Sequence, residues 1–142
     1  MTAACLRDIV TLGTVTGMRS MAGPTALAFG RRGPLKGIMP LLAIGEMVVD
    51  KTPFVGNRTD AVPLAGRAVI GALVGGAIAR DYRSPVLAGA LVGGLVAVAA
   101  AHLAYRIRAR FAEEGALAGA VEDALVTAMG ASYAARASRR AL

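Results

Sequence analysis

Long apolar runs separated by clusters of charge divide the chain into residues 9–30, 61–79, 84–105 and 115–135, with one shorter run at 38–50. The run 84–105 is the cleanest. It has His102 as its ionisable group, with Arg80, Asp81 and Arg83 before it and Arg106, Arg108 and Arg110 after it. At 1.5 Å per residue its length matches a hydrocarbon core of ~30 Å. The run 61–79 is apolar except for Arg67 near its start, and 115–135 is interrupted by Glu122 and Asp123. The first run carries Arg19 and the breaker pair Gly23-Pro24. The short run is bracketed by Pro34, Pro40 and Pro53. A helix of its length reaches only about 20 Å, so it is expected to be a half-helix or a re-entrant segment. The pattern predicts an all-α integral membrane helical bundle of four to five transmembrane helices, one of them short or re-entrant, forming a single domain over residues 1–142.

One hexamer repeats. Gly71-Ala-Leu-Val-Gly-Gly76 returns as Gly89-Ala-Leu-Val-Gly-Gly94. With a turn at 81–83 the two copies lie at one depth on opposite arms of a helical hairpin. Gly71/Gly75 and Gly89/Gly93 are small-xxx-small pairs, which let helix backbones approach. Close packing explains them better than a phosphate-cradling loop, because no strand precedes them and no Lys-Ser/Thr follows.

Composition supports a membrane setting. Hydrophobic residues make up 56% of the chain although Trp is absent and there are only three Tyr and three Phe; 18 Gly contribute to the small-residue character. The net charge of +7 would suggest nucleic acid in a soluble protein. The arginines instead fall between apolar runs, and almost no aromatic residue is available for base stacking. Contact with a lipid bilayer and its anionic headgroups accounts for the charge, and nucleic acid is not an expected partner. Cys5 is the single cysteine and His102 the single histidine, so no disulfide is expected, and neither a metal site nor another cofactor. The first apolar run lacks a clean cleavage site and is expected to stay in the protein. If each run crosses once, basic residues divide almost evenly between the two sides and orientation is not readable.

Charges inside the runs are the candidate chemistry. Arg19 lies in the first, Glu46 and Asp50 share one helical face of the second at i and i+4, Arg67 opens the third, and Glu122 and Asp123 sit in the last. A central charge costs roughly 2.5–3.5 kcal/mol to insert, so these groups must pair, face water or lie near the interface. The expected pairing sets Arg19 against Glu46 or Asp50, because a planar guanidinium holds a carboxylate with two bonds. Lys51, Asn57, Arg58 and Asp60 follow in a Pro- and Gly-containing loop. Polar groups beside an interrupted membrane helix are a transporter-site pattern, although Asp60 alone reads better as the N-cap of the next helix. The candidate binding set is therefore Arg19, Glu46, Asp50, Lys51, Asn57, Arg58, Asp60, Arg67, Glu122 and Asp123, with no catalytic residue.

Gly17-Met-Arg-Ser20 with Pro24, Gly45-Glu46 with Asp50-Lys51 and Pro53, Asn57-Arg-Thr-Asp60, Gly66-Arg67 and Glu122-Asp123 together resemble the bacterial membrane proteins grouped as domain of unknown function 4126. The resemblance covers nearly the whole chain. It implies a small multi-spanning protein of the bacterial inner membrane and brings no catalytic residues with it. Three function classes stay open. The first is a transporter- or channel-like protein for an ion or small polar solute, built on the Arg/Glu/Asp centre and favouring a homodimer at this size. The second is a structural or accessory membrane protein whose charges fix assembly. The third, ranked last, is a membrane enzyme acting at the 51–67 loop, for which no nucleophile–base or metal constellation is visible.

Overall fold

The computed structural model describes residues 1–31, 61–111 and 115–140, and the regular elements among these residues are all helices. In chain order the described helices are α1 (Ala3–Met18), α2 (Ala22–Gly30), α3 (Ala61–Asp81), α4 (Val86–Arg110) and α5 (Gly115–Arg140). The expected short run 38–50 lies outside the described residues.

The first apolar run differs from the expectation of a single crossing. Residues 9–30 are not one helix, because the chain reverses at 19–21 and α2 returns antiparallel to α1. Arg19 leaves helical geometry at φ −139°, and Gly23 tucks against Thr16 and Leu12 of α1. A side chain at position 23 would run into the Thr16 hydroxyl, which itself donates to the Leu12 carbonyl at 2.7 Å. Pro24 sits in the first turn of α2, where the missing N–H costs no helical bond. The reversal brings Arg7 and Arg31 to the same end of the bundle, which removes the even division of basic residues reached with one crossing per run.

α3 and α4 form a hairpin closed by a Schellman turn. Ser84 N–H donates to the Ala79 carbonyl at 2.8 Å and Arg83 N–H to that of Arg80 at 3.0 Å. Arg83 occupies the left-handed position at φ 52°, the place usually given to glycine. The repeated hexamers then face each other. A Cβ on Gly75 would meet the Gly89 carbonyl, and one on Gly93 the Gly71 carbonyl. The two small-xxx-small pairs are therefore used within the chain. α1 joins this seam, with Gly17 against Ala97 and Ala100 of α4.

The core runs from Cys5, Ile9, Leu12 and Val15 on α1 through Leu27 on α2 and Val74 and Ile78 on α3 to Val126 and Tyr133 on α5. α4 is distributed the opposite way to a water-soluble helix. Its buried residues are Gly89, Gly93, Ala97, Ala101 and Ala104. Its leucines face outward, with Leu87 74% and Leu95 70% exposed. α3 and α4 are long and apolar enough to cross a membrane.

Candidate functional site

Arginine–carboxylate pairs gather at both ends of the bundle, and all but the Arg7–Asp8 pair within α1 tie separate parts of the fold together. At the end that holds the start of α1 and the finish of α5, Asp8 is the hub. It lies on the buried face of α1 with Cys5, Ile9, Leu12 and Thr16, a helical spacing, and is fully buried. Its Oδ2 accepts from Arg140 Nη2 at 2.7 Å and from the Tyr82 hydroxyl at 2.8 Å. Its Oδ1 accepts from Arg136 Nε and Nη2 at 3.3 and 3.2 Å, and from Arg7 Nε at 3.3 Å. A carboxylate so surrounded keeps its charge out of water without an unpaired lone pair. Beside it, Arg31 at the end of α2 donates Nε and Nη2 to Asp81 Oδ2 at 3.0 and 2.8 Å. Arg31 Nη2 also donates to the Ala77 carbonyl at 2.9 Å, so it caps the last turn of α3.

At the opposite end the neighbours Glu122 and Asp123 of α5 are held by two different helices. Arg19 donates Nε and Nη2 to Asp123 Oδ1 at 3.0 and 2.6 Å. Arg108 of α4 stands 2.7 Å from Glu122 Oε2. Among the described residues, then, every carboxylate (Asp8, Asp81, Glu122 and Asp123) has an arginine partner from another helix.

The sequence-predicted residues divide accordingly. Arg19, Glu122 and Asp123 come together at one end, while Arg67 is buried on α3 at 3% exposure. The structure gives Arg19 a partner in Asp123; Glu46 and Asp50, the partners expected from sequence, lie outside the described residues, as do Lys51, Asn57, Arg58 and Asp60. Asp8, Tyr82, Arg136 and Arg140 were absent from the sequence-based candidates. Asp8 was detectable as an acidic residue in phase with the apolar face Cys5, Ile9 and Leu12, but the apolar run begins only after it.

The family model described as domain of unknown function (DUF4126) matches residues 7–136. The chain belongs to this family. The match runs from Arg7, next to the buried hub of α1, to Arg136, one of the hub's donors, so the DUF4126 region takes in both ends of the bundle. Neither the curated proteins nor the solved structures contain a match to the chain.

Proposed function

We propose that this DUF4126 protein is a multi-pass protein of the bacterial inner membrane, a bundle of four to five spans whose arginine–carboxylate pairs hold its helices in register. The observation that carries the membrane placement is α4, which buries a Gly/Ala stripe and turns Leu87, Leu91, Leu95 and Leu103 outward. In water that distribution forfeits the hydrophobic contribution of the larger side chains. In lipid, where tails are as apolar as leucine, packing is driven by close backbone approach at small residues, and large residues face the acyl chains. Since the described carboxylates all bridge helices, the role supported best is structural or accessory.

Transport of an ion or small polar solute is the second reading. It is favoured by Arg67, whose near-complete burial inside an apolar helix is the kind of intramembrane charge that marks solute pathways. Two measurements test these readings. Leu95→Arg, on the outer face of α4, is expected to lower the membrane-integrated fraction after alkaline extraction; unchanged recovery in a soluble fraction overturns the membrane reading. Flux assays in sealed liposomes for protons, monovalent cations and small anions separate the two roles. The structural role predicts no flux, whereas selective flux abolished by Arg67→Gln establishes transport.

A further inference from the structure

The hub end of the bundle holds more positive charge than its carboxylates neutralise. Among the described residues, Arg7, Arg31, Arg136 and Arg140 are set there against Asp8 and Asp81, an excess of two positive charges. Between α2, the α3–α4 turn and α5 lies a cavity of about 430 Å³, lined by Arg31, Asp81, Tyr82, Tyr133 and Arg140 among others. Arg31 and Arg140 spend Nε and Nη2 on Asp81, Asp8 and backbone carbonyls. Their Nη1 groups donate to nothing among the described residues. Tyr133 is 2% exposed, yet its hydroxyl makes no hydrogen bond among the described residues. That hydroxyl lies within electrostatic reach of Asp81, Arg31, Asp8 and Arg136. A tyrosine hydroxyl is ordinarily neutral at pH 7 and so donates.

We propose that this cavity binds a phosphate group, with Arg31 Nη1, Arg140 Nη1 and the Tyr133 hydroxyl as donors. A phosphate monoester carries about −1.5 to −2 at pH 7, and although Arg31 and Arg140 are paired with Asp81 and Asp8, the hub end as a whole holds two positive charges in excess to set against it. Guanidinium forks suit its tetrahedral oxygens better than they suit a monovalent halide. Asp8 is the positioning residue. It holds Arg140 through Nη2 while the guanidinium stacks on the Tyr82 ring, which leaves Nη1 for the ligand. The same chemistry is offered by a free phosphate and by the headgroup of an anionic phospholipid. The inference goes beyond the membrane reading and does not rest on it, since free phosphate needs no bilayer.

The test uses the full chain in detergent, titrated by calorimetry with inorganic phosphate at constant ionic strength set by chloride. A second arm titrates short-chain phosphatidic acid against short-chain phosphatidylcholine. Saturable binding of phosphate or phosphatidic acid is expected, and Tyr133→Phe and Arg31→Gln should each weaken it about tenfold. Phosphatidic acid binding far more tightly than inorganic phosphate identifies a lipid headgroup as the source; equal affinity identifies free phosphate. Tyr133→Phe removes a single oxygen and keeps the packing, so its unliganded unfolding temperature should match wild type. Wild-type protein that binds neither probe up to about 10 mM, or variants that bind as wild type does, overturn the proposal.

Discussion

Arg140 and Tyr82 converge on one oxygen. Both donate to Asp8 Oδ2, at 2.7 and 2.8 Å, and the Arg140 guanidinium lies 4.6 Å from the centre of the Tyr82 ring. The last turn of α5, the turn after α3 and the start of α1 are tied together by these two side chains. Because Asp8 has no exposure of its own, the protein depends on these donors to keep a charge in its interior.

Asp8→Asn should therefore be among the most destabilising single changes in the bundle. It leaves Arg136 and Arg140 facing an amide that cannot balance their charge, and breaking a buried pair costs about 3–5 kcal/mol. Asp81→Asn removes a carboxylate that is nearly half exposed, and exposed pairs contribute roughly 0–1 kcal/mol. Denaturant unfolding in detergent should rank the two in that order. Equal losses would mean that Asp8 is not held as a buried charge.

The Arg140–Tyr82 contact should appear as coupling. Arg140→Ala and Tyr82→Phe each remove one donor to Oδ2, and Arg140→Ala also removes the cation over the ring. In a double-mutant cycle the pair is expected to show an interaction energy of about 0.5–2 kcal/mol. Independent, additive effects would show that the two donors do not support each other.

Much of the helical framework was legible in the sequence, for a physical reason. Runs such as 61–79 and 84–105 are bounded by charge and turn residues, and α3 and α4 extend them only into the charged flanks, to Asp81 and Arg110. The repeated hexamer disclosed the hairpin seam because backbone contact leaves room for little besides glycine and alanine. The reversal at 19–21 was not legible as such. Gly23 is needed there to clear the Thr16 hydroxyl, and a clash with a residue on a neighbouring helix leaves no mark in local periodicity. The ion pairs among the described residues were legible only as a requirement that buried charges find partners, and the expected pairing of Arg19 with Glu46 or Asp50 lies outside those residues. That Arg19 takes Asp123, 104 residues away, depends on how α5 packs. Likewise Arg136 and Arg140 look like a solvated terminal cluster until the fold brings them to Asp8.

Topology gives a prediction specific to the bilayer. The start of α1, the α3–α4 turn and the finish of α5 meet at the Asp8 hub, so on the proposed membrane reading these three are expected on one side. Among the described residues that end also carries Arg80, Arg83 and Arg139 beyond the hub arginines, against Arg19, Arg106, Arg108 and Arg110 toward the other, so on the proposed membrane reading it is expected on the cytoplasmic side. Cysteines introduced at Ser84 and Phe111 should be labelled from opposite faces of intact spheroplasts, Ser84 from the cytoplasm. Labelling of both from one face would contradict the α4 crossing.

Arg83 offers a stabilising change. Its φ of 52° puts a Cβ where the left-handed conformation costs roughly 1–2 kcal/mol, and no salt bridge of Arg83 offsets it among the described residues. Arg83→Gly keeps both Schellman hydrogen bonds and removes the steric cost, against a smaller entropic penalty in the unfolded chain. A net gain of about 0.5–1 kcal/mol is expected from unfolding curves. A loss would mean that the Arg83 side chain contributes more to the turn than its backbone strain removes.

The glycine seam gives the sharpest contrast, because two glycines of the same helix make opposite predictions. Among the described residues an added Cβ at Gly66 meets nothing within 4 Å, whereas at Gly75 it meets the Gly89 backbone. Both residues lie within α3, where alanine is the better helix former by about 1 kcal/mol. Gly66→Ala should therefore be neutral or stabilise by up to that amount. Gly75→Ala gains the same propensity but must push α4 away from a carbonyl, and the shift propagates, because Gly17 of α1 leans on the same helix. Overpacking of this kind costs roughly 1–3 kcal/mol, so the net effect is a loss, and Gly75→Leu should abolish folding. Measuring the three side by side separates helix propensity from backbone contact. If Gly75→Ala proved as harmless as Gly66→Ala, the α3–α4 hairpin would not be held by backbone contact at Gly75.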